Sequence, residues 1–358
     1  TGDKSKIPEM TKRAARISNL GAGQLRIHRS GITDYQPGVP EGFHGQPEGA
    51  DLVLDPALIR QYFPCTTEDA VAALHVRRAG WLSAQQLGIT LLEGARKLGV
   101  TFESARVASV EVDRGKIHAV RLADGRRIVT DTFINAAGPM FKEVGEMMRL
   151  DLPVFTELHL KVAFNDIFGA VRRDAPLLIW EDTQQLAWTD DERDFLVKED
   201  LGRMLDIFPA GVHTRPEGSG ASQMILILWE YQTKKIAPTW PLPLDAQYSE
   251  IALRGLSRMV PGLTKYFERF PQPILDGGYY TKTQENRPLI GSTPIKVAYL
   301  IGALSGYGIM SACAAGELLA NQITGNIHND YTRFFSLTRY DTPGYLKEVL
   351  LHNDTGQL

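Results

Sequence analysis

The chain has 358 residues, 43% hydrophobic and 23% charged, with a formal net charge of −3. That length holds a large core and two domains, and the composition is that of a soluble globular protein. The slightly acidic balance argues against a nucleic-acid or acidic-membrane partner, and two cysteines, Cys65 and Cys313, argue against a disulfide framework and for a reducing, cytoplasmic compartment.

In chain order, Thr1 to Arg16 is charged and irregular. It has neither the apolar core of a secretory signal nor the composition of a transit peptide. Gly21-Ala-Gly23 follows Ala15 to Leu20, which is no apolar strand. Tyr35 to Pro40 and Pro238 to Pro243 read as surface loops. From Gly99 to Pro139, short strands are predicted around turns at Asp113-Arg-Gly115 and Asp124-Gly125. The last of them, Thr132-Phe-Ile-Asn-Ala-Ala-Gly138, is a buried strand running into small residues.

Leu158 to Phe164 alternates as a half-buried strand does. Leu158, Leu160, Val162 and Phe164 share one face; His159, Lys161 and Ala163 share the other. Ala175 to Trp180 and Gln223 to Glu230 are further strands, and Gly211 to Gly218 is a strand start followed by a turn that holds His213 and Arg215. Both the His159/Lys161 pair and the His213/Arg215 pair suit either a substrate face or a solvated outer face. Asp190 to Asp194 is a charged, exposed helix start, and Trp180, Trp188 and Trp229 are packing residues. Neither Cys-x-x-Cys nor His-Glu-x-x-His occurs, so no metal site is expected.

Near the end, an apolar strand (Ala298 to Ala303) leads into Ser305-Gly-Tyr-Gly308 and a helix of small residues closed by Gly325. Val297 to Gly316 is uncharged, long enough to span a bilayer, but four glycines and two serines interrupt it. Strand, glycine turn and small-residue helix bring bare backbone N–H groups up to an anionic ligand. The same pattern also builds an ordinary core corner with no ligand.

Three ordered segments, Gly99 to Pro139, Gly277 to Gly291 and Ala298 to Gly325, together resemble the D-amino-acid oxidase-like flavoenzymes, which include glycine oxidase, sarcosine oxidase and dimethylglycine dehydrogenase. The resemblance covers roughly residues 20 to 335. It implies an α/β fold in which a Rossmann-type FAD-binding domain is interleaved with a substrate domain on a large mixed sheet. Residues 1–150 would be a partial FAD-binding domain with connecting helices (Asp55 to Pro64 and Gly80 to Gln86), 151–273 the substrate domain, 274–335 the return to the FAD-binding domain, and 336–358 a C-terminal tail. The family's opening unit, a strand, Gly-x-Gly-x-x-Gly and a helix, has no counterpart here, so the chain is expected to lack it.

Carried over by motif, the resemblance implies FAD contacts at Val107, Ala136, Ala137 and Gly138, and at Ser305, Gly306, Tyr307, Gly308 and Ile309. Its two carboxylate-anchoring positions fall at Tyr280 and Met310, neither of which can form a charge-assisted pair. Lys161, Arg215, Lys282 or Arg287 would then supply the cation, and Gln284 and Glu285 would lie in a turn near the flavin. The position of the cysteine that tethers flavin in sarcosine oxidases holds Gly278, which implies noncovalent FAD. His159, Lys161 and Tyr280 are the catalytic candidates, and His213, Arg215 and Met310 line the substrate side. The implied activity is FAD-dependent oxidation of a C–H bond next to an amine, in an amino acid or N-methyl amine. A 2-hydroxy-acid dehydrogenase and a non-catalytic, flavin-free protein of the same fold are the alternatives.

Overall fold

The computed structural model describes residues 1–30, 34–39, 42, 44–326 and 330–351. Helix α1 (Ile7–Ile17) leads into strands β1 (Leu25–His28) and β2 (Ala50–Val53). Helix α2 (Pro56–Tyr62) begins where the Asp55 side chain accepts the Ala57 N–H at 2.9 Å and a proline fills the first helical position. Strand β3 (Ala73–Val76) and helix α3 (Ala84–Lys97) follow, α3 being capped by Ser83. Next is an antiparallel meander of β4 (Val107–Asp113), β5 (Lys116–Leu122) and β6 (Arg127–Val129), turning at Gly115 and Gly125 as the sequence predicts. Then come β7 (Phe133–Asn135), α4 (Phe141–Met147) and the long β8 (Val154–Asn165).

The middle of the chain holds β9 (Leu178–Ile179), β10 (Gln184–Gln185), α5 (Asp190–Lys198), β11 (Ile207–Phe208), β12 (His213–Pro216), β13 (Met224–Leu228) and α6 (Tyr248–Ser257). The charged start of α5 is a capping box between Thr189 and Glu192. The last elements are β14 (Ile274–Thr283), β15 (Leu289–Ser292), β16 (Ala298–Gly302), α7 (Gly308–Thr324) and α8 (Tyr345–Leu351). The uncharged run is thus split between β16 and α7, and no described helix is long and apolar enough to cross a membrane.

The chain divides into two compact units, one of Thr1–Leu82, Leu160–Gln232 and Pro243–Gly277, the other of Ser83–His159, Thr233–Leu242 and Gly278–Leu358. This differs from the division drawn from the sequence. Residues 1–82 group with the middle of the chain because they bond to it: Thr67 N–H donates to the Met259 carbonyl at 2.7 Å, and Asp69 pairs with Arg258 at 3.2 Å. Within the expected C-terminal tail, residues 337–340 pack in the second unit. Arg339 is buried against Glu285, and Leu337 and Tyr340 pack on Phe141, Leu152 and Leu289; residues 352–358 lie outside the described ones.

The five-stranded sheet has the order β14-β8-β13-β12-β9. Its core face, with Val162, Phe164, Ile225 and Ile227, belongs to one apolar cluster with α6, whose residues are buried except Glu250. Trp180 and Trp229 lie in that cluster and Trp188 packs against it, so all three are packing residues. A smaller sheet, β1-β2-β3, pairs β1 with β2 in parallel. Tyr35, read from the sequence as part of a surface loop, is only 5% exposed because it packs against Val53, Leu58 and Ile59; Pro40, at the end of that loop, lies outside the described residues.

The second unit is built on β15-β16-β7. β16 and β7 run parallel, with Ala298 opposite Phe133 and Leu300 opposite Asn135. The Phe141 ring lies over Gly302, where a Cβ would stand 2.5 Å from it. Only glycine permits that approach of helix to strand.

Candidate active site

Because β7 and β16 are parallel neighbours in register, their carboxyl ends reach the same edge of the sheet. That edge is where open α/β sheets bind ligands. β7 ends in Asn135, which is 1% exposed and donates through Nδ2 to the Phe141 carbonyl at 2.8 Å while its Oδ1 accepts the Ala137 N–H at 3.2 Å. These bonds fix the turn of Ala136, Ala137 and Gly138. Gly138 has φ 54°, and a Cβ there would meet nothing within 4 Å. The turn after β16 holds Ala303 (φ 54°) and Ser305 (φ 52°) in left-handed conformations. Two such non-glycine residues in one short turn store strain of about 1–3 kcal/mol each. Gly306 and Tyr307 complete a single helical turn, Gly308 opens α7, and Ile309 and Met310 follow on its exposed side. Val107 lies elsewhere: its side chain packs in the cluster of Val110, Ile117 and Ala298, so only its backbone is available to a ligand.

Strand β14 ties this edge to a second group of residues. Thr281 donates through Oγ1 to the Gly138 carbonyl at 2.9 Å. Its neighbours Tyr280 and Lys282 point to the opposite face. There the Tyr280 ring stacks on the His159 imidazole, centroids 3.8 Å apart and planes at 14°. His159 Nε2 is 3.3 Å from Glu157 Oε2, and Lys282 Nζ is 3.0 Å from the same oxygen. Glu157 is 7% exposed and His159 8%, so β8 buries these two side chains.

Lys161 is not part of this group. It belongs to the other unit, pairs with Asp276 at 3.2 Å, and is 43% exposed at its side chain. It shares a sheet face with His213 and Arg215, since Lys161 stands opposite Leu228 and Leu228 opposite His213. His213 bonds through Nδ1 to the Gly211 carbonyl at 2.8 Å, and burial pushes its pKa down, leaving the ring neutral near pH 7. Arg215 pairs with Glu217 at 2.5 Å and lies over the Trp81 ring. Each of Lys161, Arg215 and Lys282 is therefore already matched to a carboxylate.

Three networks escaped sequence reading. Glu157 and Lys282 are the first. The second centres on Asp51, 1% exposed, which accepts from Arg26 at 2.7 Å, from His28 at 2.7 Å and from Arg77. Burial opposes its ionisation, but these bonds hold its carboxyl far below the usual range. Beside it Tyr35 and His75 bond at 3.0 Å, and burial, with Arg77 nearby, drives His75 down to about 4. The third is Glu285, which accepts from Arg339 at 2.7 Å and Tyr340 at 2.7 Å. Glu285 is 1% exposed, and this network ties the C-terminal segment to the β14–β15 turn. The signal available in sequence was only a scatter of charged residues on separate strands.

A family model described as FAD dependent oxidoreductase (DAO) matches residues 23–322. The chain is 27% identical over 290 residues to the mitochondrial dimethylglycine dehydrogenase of Rattus norvegicus, which covers 76% of this chain and 30% of that protein. It is 27% identical over 184 residues to the bifunctional protein ThiO/ThiG of Synechocystis, covering 48% of this chain and 28% of that one. The chain thus spans less than a third of the length of these curated relatives. Among solved structures, L-proline dehydrogenase from P. horikoshii superposes with a TM-score of 0.66 at 15% identity, covering 95% of this chain and 74% of that one. Glycine oxidase from Geobacillus kaustophilus gives 0.65 at 15%, with 94% and 72% covered, and iminodiacetate oxidase from Chelativorans 0.66 at 16%, with 93% and 73%. At these identities the likeness establishes the mixed α/β fold.

Proposed function

We propose that this chain, which belongs to the family of FAD dependent oxidoreductases, oxidises a C–H bond next to an amine in an amino acid or an N-methyl amine, with FAD held noncovalently. The observation that carries this reading is the Thr281–Gly138 bond. It links a turn suited to a dinucleotide with the strand whose Tyr280 stacks on the buried His159, a pair suited to a substrate, within one unit. Dimethylglycine, glycine, proline and iminodiacetate, the substrates in the names of the similar proteins, all contain an amine nitrogen.

The residues fit a flavin nucleotide at two turns. Ala136 to Gly138 offer a backbone without side-chain bulk, open where a Gly138 Cβ would stand. Ser305 to Ile309 set the N-terminus of a 17-residue helix toward the same sheet edge, where its dipole favours negative charge. Gly278 offers no thiol for a tether. FAD, when bound, supplies the acceptor for the hydride of the C–H bond. The chain's own part is to hold the amine in its neutral, electron-donating form and to orient it. His159 is the group to hold or take the proton, and the Tyr280 ring fixes the plane of the imidazole. Lys161, His213 and Arg215 share one sheet face in the other unit and are substrate-side candidates there. Met310, at the start of α7, is a separate candidate within the unit of His159.

No strand–Gly-x-Gly-x-x-Gly–helix segment occurs among the 358 residues, so the pyrophosphate has no such cradle in them. The test therefore uses two forms, the chain itself and the chain joined at its start to that segment from a family member. The joined form is expected to bind FAD tightly and the 358-residue chain weakly. Anaerobic bleaching of the flavin by N-methyl amines or amino acids, and not by 2-hydroxy acids, is the expected reactivity. Bleaching by hydroxy acids alone overturns the amine reading. A joined form that folds but binds no FAD overturns the flavoenzyme reading.

A further inference from the structure

We propose that Glu157, braced by Lys282, is a positioning residue that fixes the tautomer and ring orientation of His159. The inference deepens the proposed function, since its catalytic consequence rests on His159 serving that reaction. Glu157 and His159 are two apart on β8 and so share a face. Lys282 and Tyr280 are two apart on β14 and share a face as well. The four side chains meet as two contacts across two strands, carboxylate with ammonium and imidazole with phenol ring.

The chemistry follows from one shared oxygen. Glu157 Oε2 stands 3.3 Å from His159 Nε2 and 3.0 Å from Lys282 Nζ. An ionised carboxylate only accepts hydrogen bonds, so the imidazole that faces it must place a proton on Nε2. That assigns Nδ1 the lone pair in the neutral ring. The Lys282 ammonium, 14% exposed at its side chain, binds the same oxygen and so holds the carboxylate in place against the ring. The Tyr280 ring, stacked on the imidazole, removes its freedom to turn over. Orientation of a histidine by a carboxylate is worth large rate factors where that histidine handles a proton.

The test reads the tautomer directly in the 358-residue chain without flavin. Long-range proton–nitrogen NMR on histidine-labelled protein separates protonated from unprotonated ring nitrogens, and His159→Gln identifies the His159 signals. One neutral tautomer with the proton on Nε2 is expected. In Glu157→Gln the amide can donate or accept, so the two tautomers mix. Lys282→Met leaves the carboxylate unbraced and free to move off Nε2, so the tautomers mix there too, and Lys282→Arg restores the single tautomer. A single Nε2–H tautomer persisting in both Glu157→Gln and Lys282→Met overturns the proposal; should Glu157→Gln fail to fold, the two Lys282 variants decide it. A second arm uses the flavin-loaded joined form, where Glu157→Gln is expected to lower kcat at least tenfold and leave KM within twofold. An altered tautomer with wild-type kcat overturns the role of His159 in the reaction, separately from its positioning by Glu157.

Discussion

The His159 imidazole lies flat on the Tyr280 ring, 3.8 Å between centroids and 14° from parallel. Stacking of this kind contributes about 0.5–1.5 kcal/mol beyond the area it buries. Its larger effect is geometric, because it sets the plane in which the imidazole nitrogens lie. Tyr280→Phe is expected to preserve the stack and leave KM within about twofold. Tyr280→Ala is expected to depress kcat of the flavin-loaded enzyme by tenfold or more, since an imidazole free to rotate spends little time aligned. Steady-state kinetics of the two variants check this; equal effects of both would assign the function to the phenol oxygen instead of the ring.

A second prediction concerns the strand–helix contact under the dinucleotide edge. The Phe141 ring occupies the space of a Gly302 side chain, and Phe141 is fully buried. Gly302→Ala forces either the ring or α4 to move, at a cost of about 1–3 kcal/mol for overpacking. A fall in Tm of several degrees is expected, with partial recovery in the double variant Gly302→Ala/Phe141→Leu. An unchanged Tm in the single variant would mean that α4 shifts without cost.

How much of this was legible in the sequence depended on range. β7 and β16 were readable because an apolar run ending in small residues is a local pattern, and the β8 alternation placed His159 and Lys161 on one face. Alternation does not say which residues of another strand stand opposite. The β14 contacts give Glu157 to Lys282 and Lys161 to Asp276, and so separate two residues that the sequence had joined. The Asp51 cluster was illegible for the same reason, since Arg26, Asp51 and Arg77 sit on or beside three different strands.

Lys161 illustrates the consequence. Read from the sequence as an anchor for a substrate carboxylate, it is half exposed and already paired with Asp276. Exposed pairs contribute about 0–1 kcal/mol. Lys161→Met is therefore expected to change stability by less than about 1 kcal/mol and KM for an amine substrate by no more than a few-fold. Kinetics and thermal melts of this variant check it. A hundredfold rise in KM would restore Lys161 as the anchor and show that Asp276 releases it when substrate binds.

The last prediction is a pH dependence of stability. His75 is held at about 4 in the folded chain, against 6.5 for the free side chain, chiefly by burial and then by the Arg77 charge. Between pH 6.5 and 4 the unfolded chain takes up a proton at this position that the folded chain refuses. Folding therefore weakens as pH falls through that window, by about 1.4 kcal/mol for each pH unit and of order 3 kcal/mol in all. Below 4 both states are protonated and His75 adds nothing further. The Tyr35 hydroxyl bonds to Nδ1 at 3.0 Å; it donates there while Nδ1 carries a lone pair, and in acid the ring N–H donates to the hydroxyl oxygen instead. His75→Gln retains a polar partner for Tyr35 without titrating. Urea unfolding at pH 7 and pH 4.5 should show a loss of stability in the native chain that is smaller in this variant by about 2–3 kcal/mol. An equal loss in both would assign the acid sensitivity to other groups, Asp51 with its partners Arg26 and Arg77 first among them.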